Sequence, residues 1–233
     1  MRATPPIAGR IHEVTTPEFP MLHTASIWTV DQTRLLTRRE LATVLADLIP
    51  KAARSANGQR NLVVVRLACC CGLRVSEIGA LHLDDVVVDG PRPHLRLRRA
   101  TTKGHRARCI PLWWDAGTLA DLAAWKAFRS SHGARGNDPF VCSVQANRYG
   151  LALRRHALRR RFLSACKVLG LGRLRTLTIH HGRHTFISHA LAGGRTLAEV
   201  RAAAGHANVA ITSAYLHVAV DDDGMLGQLF QFA

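Results

Sequence analysis

Residues 178–186, with the sequence TIHHGRHTF, lie where a loop is predicted to become a helix. Four apolar residues occur at helical spacing from the end of this stretch onward: Phe186, Ile187, Ala190 and Leu191. An apolar stripe with this period predicts an amphipathic helix whose apolar face is buried. The helix would hold His180 and Arg183, three residues apart, on a rigid support. We therefore take this stretch as the centre of the predicted functional site.

Two further segments carry residues of related chemistry. Gly205 and His206 lie downstream, and Tyr215 follows nine residues after His206. Upstream, residues 71–77 read CGLRVSE and include Arg74. Arginine side chains bind anionic oxygens, and a tyrosine hydroxyl can act as a nucleophile. Together the three segments indicate an anion-binding site beside a hydroxyl nucleophile.

Composition limits the class of protein. The chain has 233 residues, 47% of them hydrophobic, and a formal net charge of +16. This length can bury a sizeable core in one or two domains, and the charge indicates a polyanionic partner, most simply nucleic acid. No window approaches the length of a membrane span, and the N-terminus lacks the apolar run of a signal peptide. We therefore expect a cytoplasmic protein with no membrane partner.

The positive charge is concentrated in two windows without acidic residues. Seven Arg or Lys lie between Asp89 and Asp115, and eleven lie between Asp138 and Glu199. A GC-rich genome explains a preference for Arg over Lys, but it does not explain long acid-free windows. The windows are therefore the first candidates for a surface that binds nucleic acid.

Within the first window, apolar and basic residues alternate, which is typical of a β-hairpin with two different faces. The predicted apolar face consists of Leu95, Leu97, Ala107 and Cys109. The predicted basic face, a candidate DNA-binding surface, consists of Arg96, Arg98, Arg106 and Arg108. A turn at Lys103 and Gly104 joins the two strands. The alternative, a solvated outer face, is disfavoured because no acidic residues are interspersed.

Helical periodicity covers most of the remaining chain. Thr37 and Glu40 form an S/T-x-x-E capping box. The apolar stripe of the helix that follows consists of Leu41, Val44, Leu45, Leu48 and Ile49. Thr196 and Glu199 form a second box, before a helix predicted to end at Gly205. Further helices are predicted at about residues 59–71, 119–128, 151–169 and 209–218. The 151–169 helix presents a second candidate DNA-binding set: Arg154, Arg155, Arg159 and Arg160.

Cysteine and histidine clusters carry no metal signature. The run Cys69–Cys71 lies in an apolar, helix-like segment, and no C-x-x-C pair is present. Small buried thiols in a reducing cytosol are therefore favoured over disulfides or zinc. His180, His181 and His184 are close in sequence, but no carboxylate or cysteine motif accompanies them, so no metal site is predicted.

The ordered set of motifs resembles the tyrosine recombinase, or phage integrase, family. The resemblance covers about residues 34–218 and includes Lys103 in the hairpin turn. It implies an α+β catalytic domain, mainly α-helical with a small antiparallel sheet, that acts on double-stranded DNA and takes no small-molecule substrate. The six positions that match the family's catalytic set are Arg74, Lys103, His180, Arg183, His206 and Tyr215.

The residue types suit phosphoryl transfer. Arg74 and Arg183 would hold the scissile phosphate, because each presents a planar fork that is always charged, and His206 would add a hydrogen bond. Tyr215 would attack with His180 as the general base, and Lys103 would protonate the leaving 5′-hydroxyl. The resulting 3′-phosphotyrosine link conserves the bond energy, so the reaction needs neither ATP nor a metal cofactor.

The predicted function is a site-specific DNA recombinase, nucleoid-associated and encoded by a mobile element, that acts as a homo-tetramer on paired sites. Two alternatives remain open: a type IB topoisomerase-like nicking-closing enzyme, and a non-enzymatic DNA-binding fragment of an integrase. Most family members carry a core-binding domain before the catalytic domain. Residues 1–33, with four scattered prolines, predict only an extended arm or disordered leader. The apolar tail, residues 219–233, is predicted to dock on a neighbouring protomer, and Gly182 is predicted to loosen the turn before Arg183.

Overall fold

The computed structural model describes residues 32–101 and 106–216. Within these ranges the chain forms nine α-helices and a three-stranded antiparallel sheet in the order β1-β2-β3. The helices are α1 (Arg38–Arg54), α2 (Ala56–Val65), α3 (Val75–Gly79), α4 (Ala116–Ser131), α5 (Arg155–Ala165), α6 (Gly170–Leu174), α7 (Ile179–Ala192), α8 (Leu197–Ala204) and α9 (Val209–Ser213). The strands are β1 (Val86–Val87), β2 (His94–Leu97) and β3 (Arg108–Pro111). The predicted class, mainly α-helical with a small antiparallel sheet, is confirmed.

Both predicted capping boxes form. Thr37 Oγ1 accepts a hydrogen bond from the Glu40 N–H at 3.2 Å, and the Glu40 carboxylate accepts one from the Thr37 N–H at 3.0 Å. Thr196 and Glu199 make the same pair of bonds at the start of α8. Each box satisfies N–H groups that the first turn of a helix leaves without a partner. The two helices therefore begin where the local sequence predicts.

The predicted helical stripes are buried with few exceptions. Leu41, Val44, Leu45 and Leu48 lie in the core, but Ile49, predicted on the same face, is 49% exposed. Four helices differ in length from the prediction, and one of them is α4, which extends past the predicted 119–128 at both ends. The one predicted at 59–71 is α2 plus a π-helical segment, Arg66–Cys70. The other two are the shorter α5 and α9.

The π-helical segment packs directly against α7. Gly182 makes this approach possible, because a Cβ there would lie 2.8 Å from the Cβ of Ala68. The prediction that Gly182 loosens the turn is therefore wrong, since the residue is buried in close packing in the first turn of α7. Cys69, Cys70 and Cys71 are buried free thiols, as predicted, and burial raises the pKa of each.

The residues before α1 anchor the other side of α7. The Leu36 N–H donates to Thr185 Oγ1 at 2.9 Å, and Nε2 of the buried His189 lies 2.8 Å from the Leu36 carbonyl oxygen. Both bonds link positions more than 140 residues apart in the chain. Helix α7 is therefore held between the π-helical segment and the start of the described chain.

The predicted faces of the hairpin are wrong for its second strand. Leu97 pairs with Arg108 and Arg96 pairs with Cys109, so Arg108 lies on the inner face and Cys109 is exposed. Directly paired residues of an antiparallel sheet share a face. The buried Ile110 lies two residues after Arg108, and alternate residues of a strand share a face. The even-numbered positions of β3 are therefore the ones on its inner face.

Several predictions lie wholly or partly outside the described residues. They concern most of the arm, the turn with Lys103 and the tail, residues 219–233. The three domain boundaries therefore stay predictions. Within the described ranges, no helix combines the length and the apolar character that crossing a membrane requires.

Candidate active site

Arg74 is positioned by the glycine that precedes it. Gly72 has a φ of +66°, which favours glycine, and a Cβ there would lie 2.3 Å from the Phe186 ring. The chain therefore passes close to α7 and then enters α3, with Arg74 as the N-cap residue of that helix. The Arg74 N–H and Nη1 both donate to the Glu77 carboxylate, at 2.8 Å and 3.1 Å. Glu77 therefore holds both the backbone and the side chain of Arg74.

Glu77 also receives the inward-facing arginine of β3. Arg108 Nη1 and Nη2 donate to the two oxygens of Glu77 at 3.0 Å and 2.9 Å, and Arg108 Nε donates to the Ala203 carbonyl oxygen at 2.8 Å. Burial opposes the charge of Glu77, but the hydrogen bonds and charge of Arg108 bring its pKa below the ordinary value. Arg108 thus joins α3, β3 and the end of α8.

Arg183 lies in the middle of this arrangement and is 3% exposed. Its Nη1 donates to the Gly72 carbonyl oxygen at 2.9 Å, and its Nη2 donates to the Ala204 carbonyl oxygen. Burial and, to a smaller extent, the charge of Arg74 together lower the pKa of Arg183 to about 9. Each of these two guanidinium groups disfavours the charged form of the other, so an anion bound between them would stabilise both.

Tyr215 reaches the same region from the turn after α9. The residue is 7% exposed, and its hydroxyl lies 2.6 Å from Nδ1 of His184. The ring centroid of His206 is 6.5 Å from that of Tyr215. Burial raises the pKa of Tyr215, although the nearby Arg183 opposes this. Tyr215 is therefore a neutral phenol at pH 7 that needs a proton acceptor before it can attack.

The histidines of the site are neutral at pH 7. Burial lowers the pKa of His206 to about 4 with help from Arg183 and Arg74, and it lowers the pKa of His184 to about 4. Burial and the same two arginines also lower the pKa of His180. Neutral imidazoles both accept and donate hydrogen bonds, so they suit a site with a phenol and an anion.

Five of the six predicted catalytic residues therefore lie together, and Lys103 lies outside the described residues. The five are Arg74, His180, Arg183, His206 and Tyr215. Sequence reasoning did not give a catalytic role to His184, the side chain that contacts the Tyr215 hydroxyl. The available signal was its position four residues after His180, which puts both rings on one face of α7.

The predicted DNA-binding arginines occupy three different environments. Arg96 lies on the outer face of β2 and Arg98 directly follows the strand, but the carboxylate of Asp85 is 3.6 Å from Arg96 Nε and 2.7 Å from Arg98 Nε. The expectation of a face without acidic residues is wrong, because Asp85 comes from outside the acid-free window. Arg106 is exposed, whereas Arg108 is turned inward to Glu77.

The arginines at the start of α5 and along it are exposed, and Arg159 lies next to the site. The exposed set is Arg154, Arg155, Arg159 and Arg160. Arg159 and His180 line a cavity of about 430 Å³. Arg106 and His206 line a second cavity, of about 530 Å³. Exposed arginines therefore border the cluster both next to His180 and next to His206.

The sequence model of the phage integrase family matches residues 36–221, most of the chain. The chain belongs to the phage integrase family. Similar curated proteins include the tyrosine recombinase XerC of Roseiflexus sp. (strain RS-1), 29% identical over 81% of this chain and 56% of that protein. The tyrosine recombinase XerD of Listeria monocytogenes is 28% identical over 69% of this chain and 51% of that protein. The chain thus spans about half the length of the curated relatives it matches.

Solved structures of family members share the fold. The crystal structure of XerA recombinase covers 78% of this chain, and the match extends over 60% of XerA, with a TM-score of 0.60 and 21% identity. A second match is the XerH site-specific recombinase bound to palindromic difH substrate, in a post-cleavage complex. This match covers 81% of this chain and 51% of the XerH chain. Its TM-score is 0.61 at 20% identity. The family fold is therefore shared although the sequence identity is only 20–21%.

Within the described part of this integrase-family chain, no three His, Cys, Asp or Glu side chains form a group that could hold a metal ion. His180 and His184 contact each other edge to face, with ring centroids 4.9 Å apart. Both face arginines rather than carboxylates. The described cluster therefore combines cationic side chains and neutral rings, a combination that suits an anionic ligand.

Proposed function

We propose that the protein is a site-specific DNA recombinase that cleaves and rejoins double-stranded DNA through a 3′-phosphotyrosine intermediate. The observation that carries this proposal is the buried Tyr215 hydroxyl in one cluster with Arg74 and Arg183, whose charges oppose each other. A phosphodiester is the anion that such a cluster suits, because arginine forks match phosphate oxygens. The relatives named tyrosine recombinases add support.

The proposed reaction is an exchange of phosphate esters. Arg74 and Arg183 bind the non-bridging oxygens, and His180 and His206 act as hydrogen-bonding neighbours of the same phosphate. Tyr215 attacks phosphorus and the 5′-oxygen leaves, with Lys103 as its acid. A 5′-hydroxyl of another strand reverses the step. The phosphodiester energy is kept in the tyrosine ester, so neither ATP nor a metal cofactor enters the proposal.

The path of the DNA is proposed from the exposed arginines beside the cluster. Arg106 on one side and the α5 arginines on the other can neutralise phosphates on both flanks of the scissile position. Arg96 and Arg98 are weaker candidates, because Asp85 already neutralises part of their charge. Arg108 is assigned to support of the site instead, because its guanidinium group is committed to Glu77.

Assembly and location extend this proposal. Recombination of two sites requires two duplexes, so we propose a homo-tetramer on paired sites in the cytoplasm, at the nucleoid. The solved structure of XerH in complex with its difH substrate is consistent with DNA as the partner. We further propose that residues 219–233 dock on a neighbouring protomer.

The direct test is a covalent adduct on nicked duplexes drawn from DNA that flanks the gene. A nick near the cleavage position lets the short fragment leave, so the phosphotyrosine accumulates. The wild-type chain and Tyr149→Phe should form the adduct, and Tyr215→Phe should bind DNA without forming it. Tyr149 is the matched control, because it is the second of the two tyrosines in the chain.

The outcomes separate the alternatives. Binding without any adduct would favour the non-enzymatic DNA-binding fragment. An adduct with relaxation of a single supercoiled duplex, but no strand exchange between two duplexes, would favour the topoisomerase-like enzyme. An adduct that persists in Tyr215→Phe would overturn the assignment of the nucleophile.

A further inference from the structure

His184 contacts the atom that would attack the phosphate. Its Nδ1 lies 2.6 Å from Tyr215 Oη, and the two rings stack with centroids 5.7 Å apart and an interplanar angle of 25°. This distance is typical of a strong O–H···N hydrogen bond. His184 lies on α7 directly after Arg183, so the same helix holds an arginine of the anion site and the partner of the nucleophile.

The charges around this bond indicate its direction. Burial, together with the charges of His180, His181, Arg183 and Arg34, lowers the pKa of His184 to about 4. The imidazole is therefore neutral at pH 7, whereas the Tyr215 phenol keeps its proton because burial raises its pKa. The phenol is the stronger acid of the two neutral groups. Tyr215 O–H thus donates, and the free lone pair of Nδ1 accepts.

His180, the base predicted from the sequence, occupies a different position. Its ring centroid lies 4.9 Å from that of His184 in an edge-to-face contact, and Arg183 and Arg74 act on its pKa. The Tyr215 hydroxyl forms its hydrogen bond with Nδ1 of His184. His180 is therefore oriented toward the anion site and His184 toward the nucleophile.

We propose that His184 is a catalytic residue that takes the proton of Tyr215 as the phenol attacks phosphorus. This inference rests on the proposed function. The Tyr215 O–H bond breaks and its proton passes to Nδ1, while the Tyr215 oxygen forms a bond to phosphorus. The bond from phosphorus to the 5′-oxygen breaks with its electron pair, and that oxygen takes a proton from the acid assigned to Lys103. In rejoining, the imidazolium returns its proton to the departing tyrosine oxygen.

The bound phosphate makes this proton transfer easier. The cations around His184 lower its affinity for a proton in the free site. A phosphate between Arg74 and Arg183 offsets that effect, because its negative charge favours an imidazolium nearby. The pKa of His184 then moves from its low value toward the working pH, where a general base is most effective.

The test uses single-turnover cleavage of the nicked duplex by the full chain. In His184→Asn, the amide oxygen replaces Nδ1 as a hydrogen-bond acceptor but takes no proton. We expect cleavage at pH 7 to slow by roughly 10²–10⁴-fold with DNA binding unchanged, since a positioned base contributes about this factor. Above pH 7, cleavage by the variant should keep rising with pH as the phenol ionises, whereas the wild-type rate should be level because His184 is already unprotonated.

Three controls separate proton transfer from structure. His132→Asn, at an exposed histidine after α4, should cleave at the wild-type rate. His180→Asn should cleave more slowly but keep a flat pH profile. Replacement of Tyr215 by a ring-fluorinated tyrosine, which is more acidic, should restore much of the rate of His184→Asn. If the Asn variant does not fold, His184→Gln is measured in the same way.

The failure of each proposal is distinguishable. Absence of the adduct with the wild-type chain overturns the proposed function and this inference with it. If the wild-type adduct forms, three results overturn the role of His184 alone. The first is a wild-type rate in His184→Asn, and the second is a slow rate in His184→Asn with a flat pH profile. The third is a pH dependence that appears in His180→Asn instead.

Discussion

Arg108 and Glu77 form a two-point ion pair, with nitrogen–oxygen distances of 3.0 Å and 2.9 Å, inside the candidate active site. The side chain of Glu77 is 0% exposed and that of Arg108 is 8% exposed. The same carboxylate binds Arg74, the arginine assigned to the scissile phosphate. The position of a proposed catalytic arginine therefore depends on a carboxylate that is itself held by a second arginine from the sheet.

We expect Glu77→Gln to destabilise the fold by about 3–5 kcal/mol, because it leaves buried cations without a compensating charge. The measurement is the free energy of unfolding in urea. The matched control is Asp47→Asn, which breaks a more exposed ion pair with Lys51 and should cost less than about 1 kcal/mol. Equal losses in the two variants would contradict a special role for the Glu77 pair.

Gly72→Ala should cost more stability than Gly90→Ala. Both glycines have positive φ, at +66° and +83°, so both variants carry backbone strain of about 1–3 kcal/mol. Only at Gly72 does the added Cβ meet Phe186, and this overpacking adds about 1–3 kcal/mol. Gly90 has open space at that position. Chemical denaturation of both variants checks the difference, and equal costs would mean that the contact with Phe186 is easily relieved.

Stability should fall as the pH drops from about 6.5 to about 4, in part because of His189. Burial lowers the pKa of His189 to about 4, while the unfolded chain keeps a value near 6.5, and nearby Arg38 acts in the same direction. In this pH window the unfolded state binds more protons than the folded state, so the free energy of unfolding decreases as the pH falls. Protonation of His189 lowers the free energy of unfolding by on the order of 3 kcal/mol across this window.

The check is the pH dependence of unfolding in wild type and His189→Gln. The glutamine amide can still donate to the Leu36 carbonyl oxygen but does not titrate. The variant should lose less stability than wild type between pH 6.5 and pH 4. Parallel curves would show that His189 is not responsible.

Lys103→Ala should cleave ordinary DNA roughly 10²–10⁴-fold more slowly, because the 5′-alkoxide must be protonated as it leaves. A substrate with sulfur at the 5′-bridging position releases a thiolate, which needs no acid. The variant should therefore approach the wild-type rate on the sulfur substrate. Equal slowing on both substrates would assign Lys103 to DNA binding, with a change in salt dependence as its signature.

Deletion of residues 222–233 should leave a folded chain that binds DNA and assembles poorly. The deleted segment contains five large apolar residues: Met225, Leu226, Leu229, Phe230 and Phe232. An apolar segment of this kind is typical of an interaction surface. Sedimentation of the protein on DNA gives the stoichiometry, and a truncated chain that still forms the wild-type complex would contradict docking between protomers.

The sequence alone determined the features that depend on neighbouring residues. The box of Thr37 and Glu40 and the end of α8 at Gly205 were predicted correctly, because a cap involves residues within four positions. The buried stripe of α7 followed from helical periodicity in the same way. The ordered motifs also identified the family and five residues that the fold brings together.

Only the tertiary structure decided which side chains meet across the fold. Arg108 turns to Glu77, and Tyr215 bonds His184, each over a separation of 31 residues in the chain. Asp85 reaches Arg98 from outside an acid-free window. Local pattern shows that residues alternate, but register and packing set the face that each residue occupies. The partners of the buried charges and of the nucleophile are fixed by that packing, so they became visible only in the assembled fold.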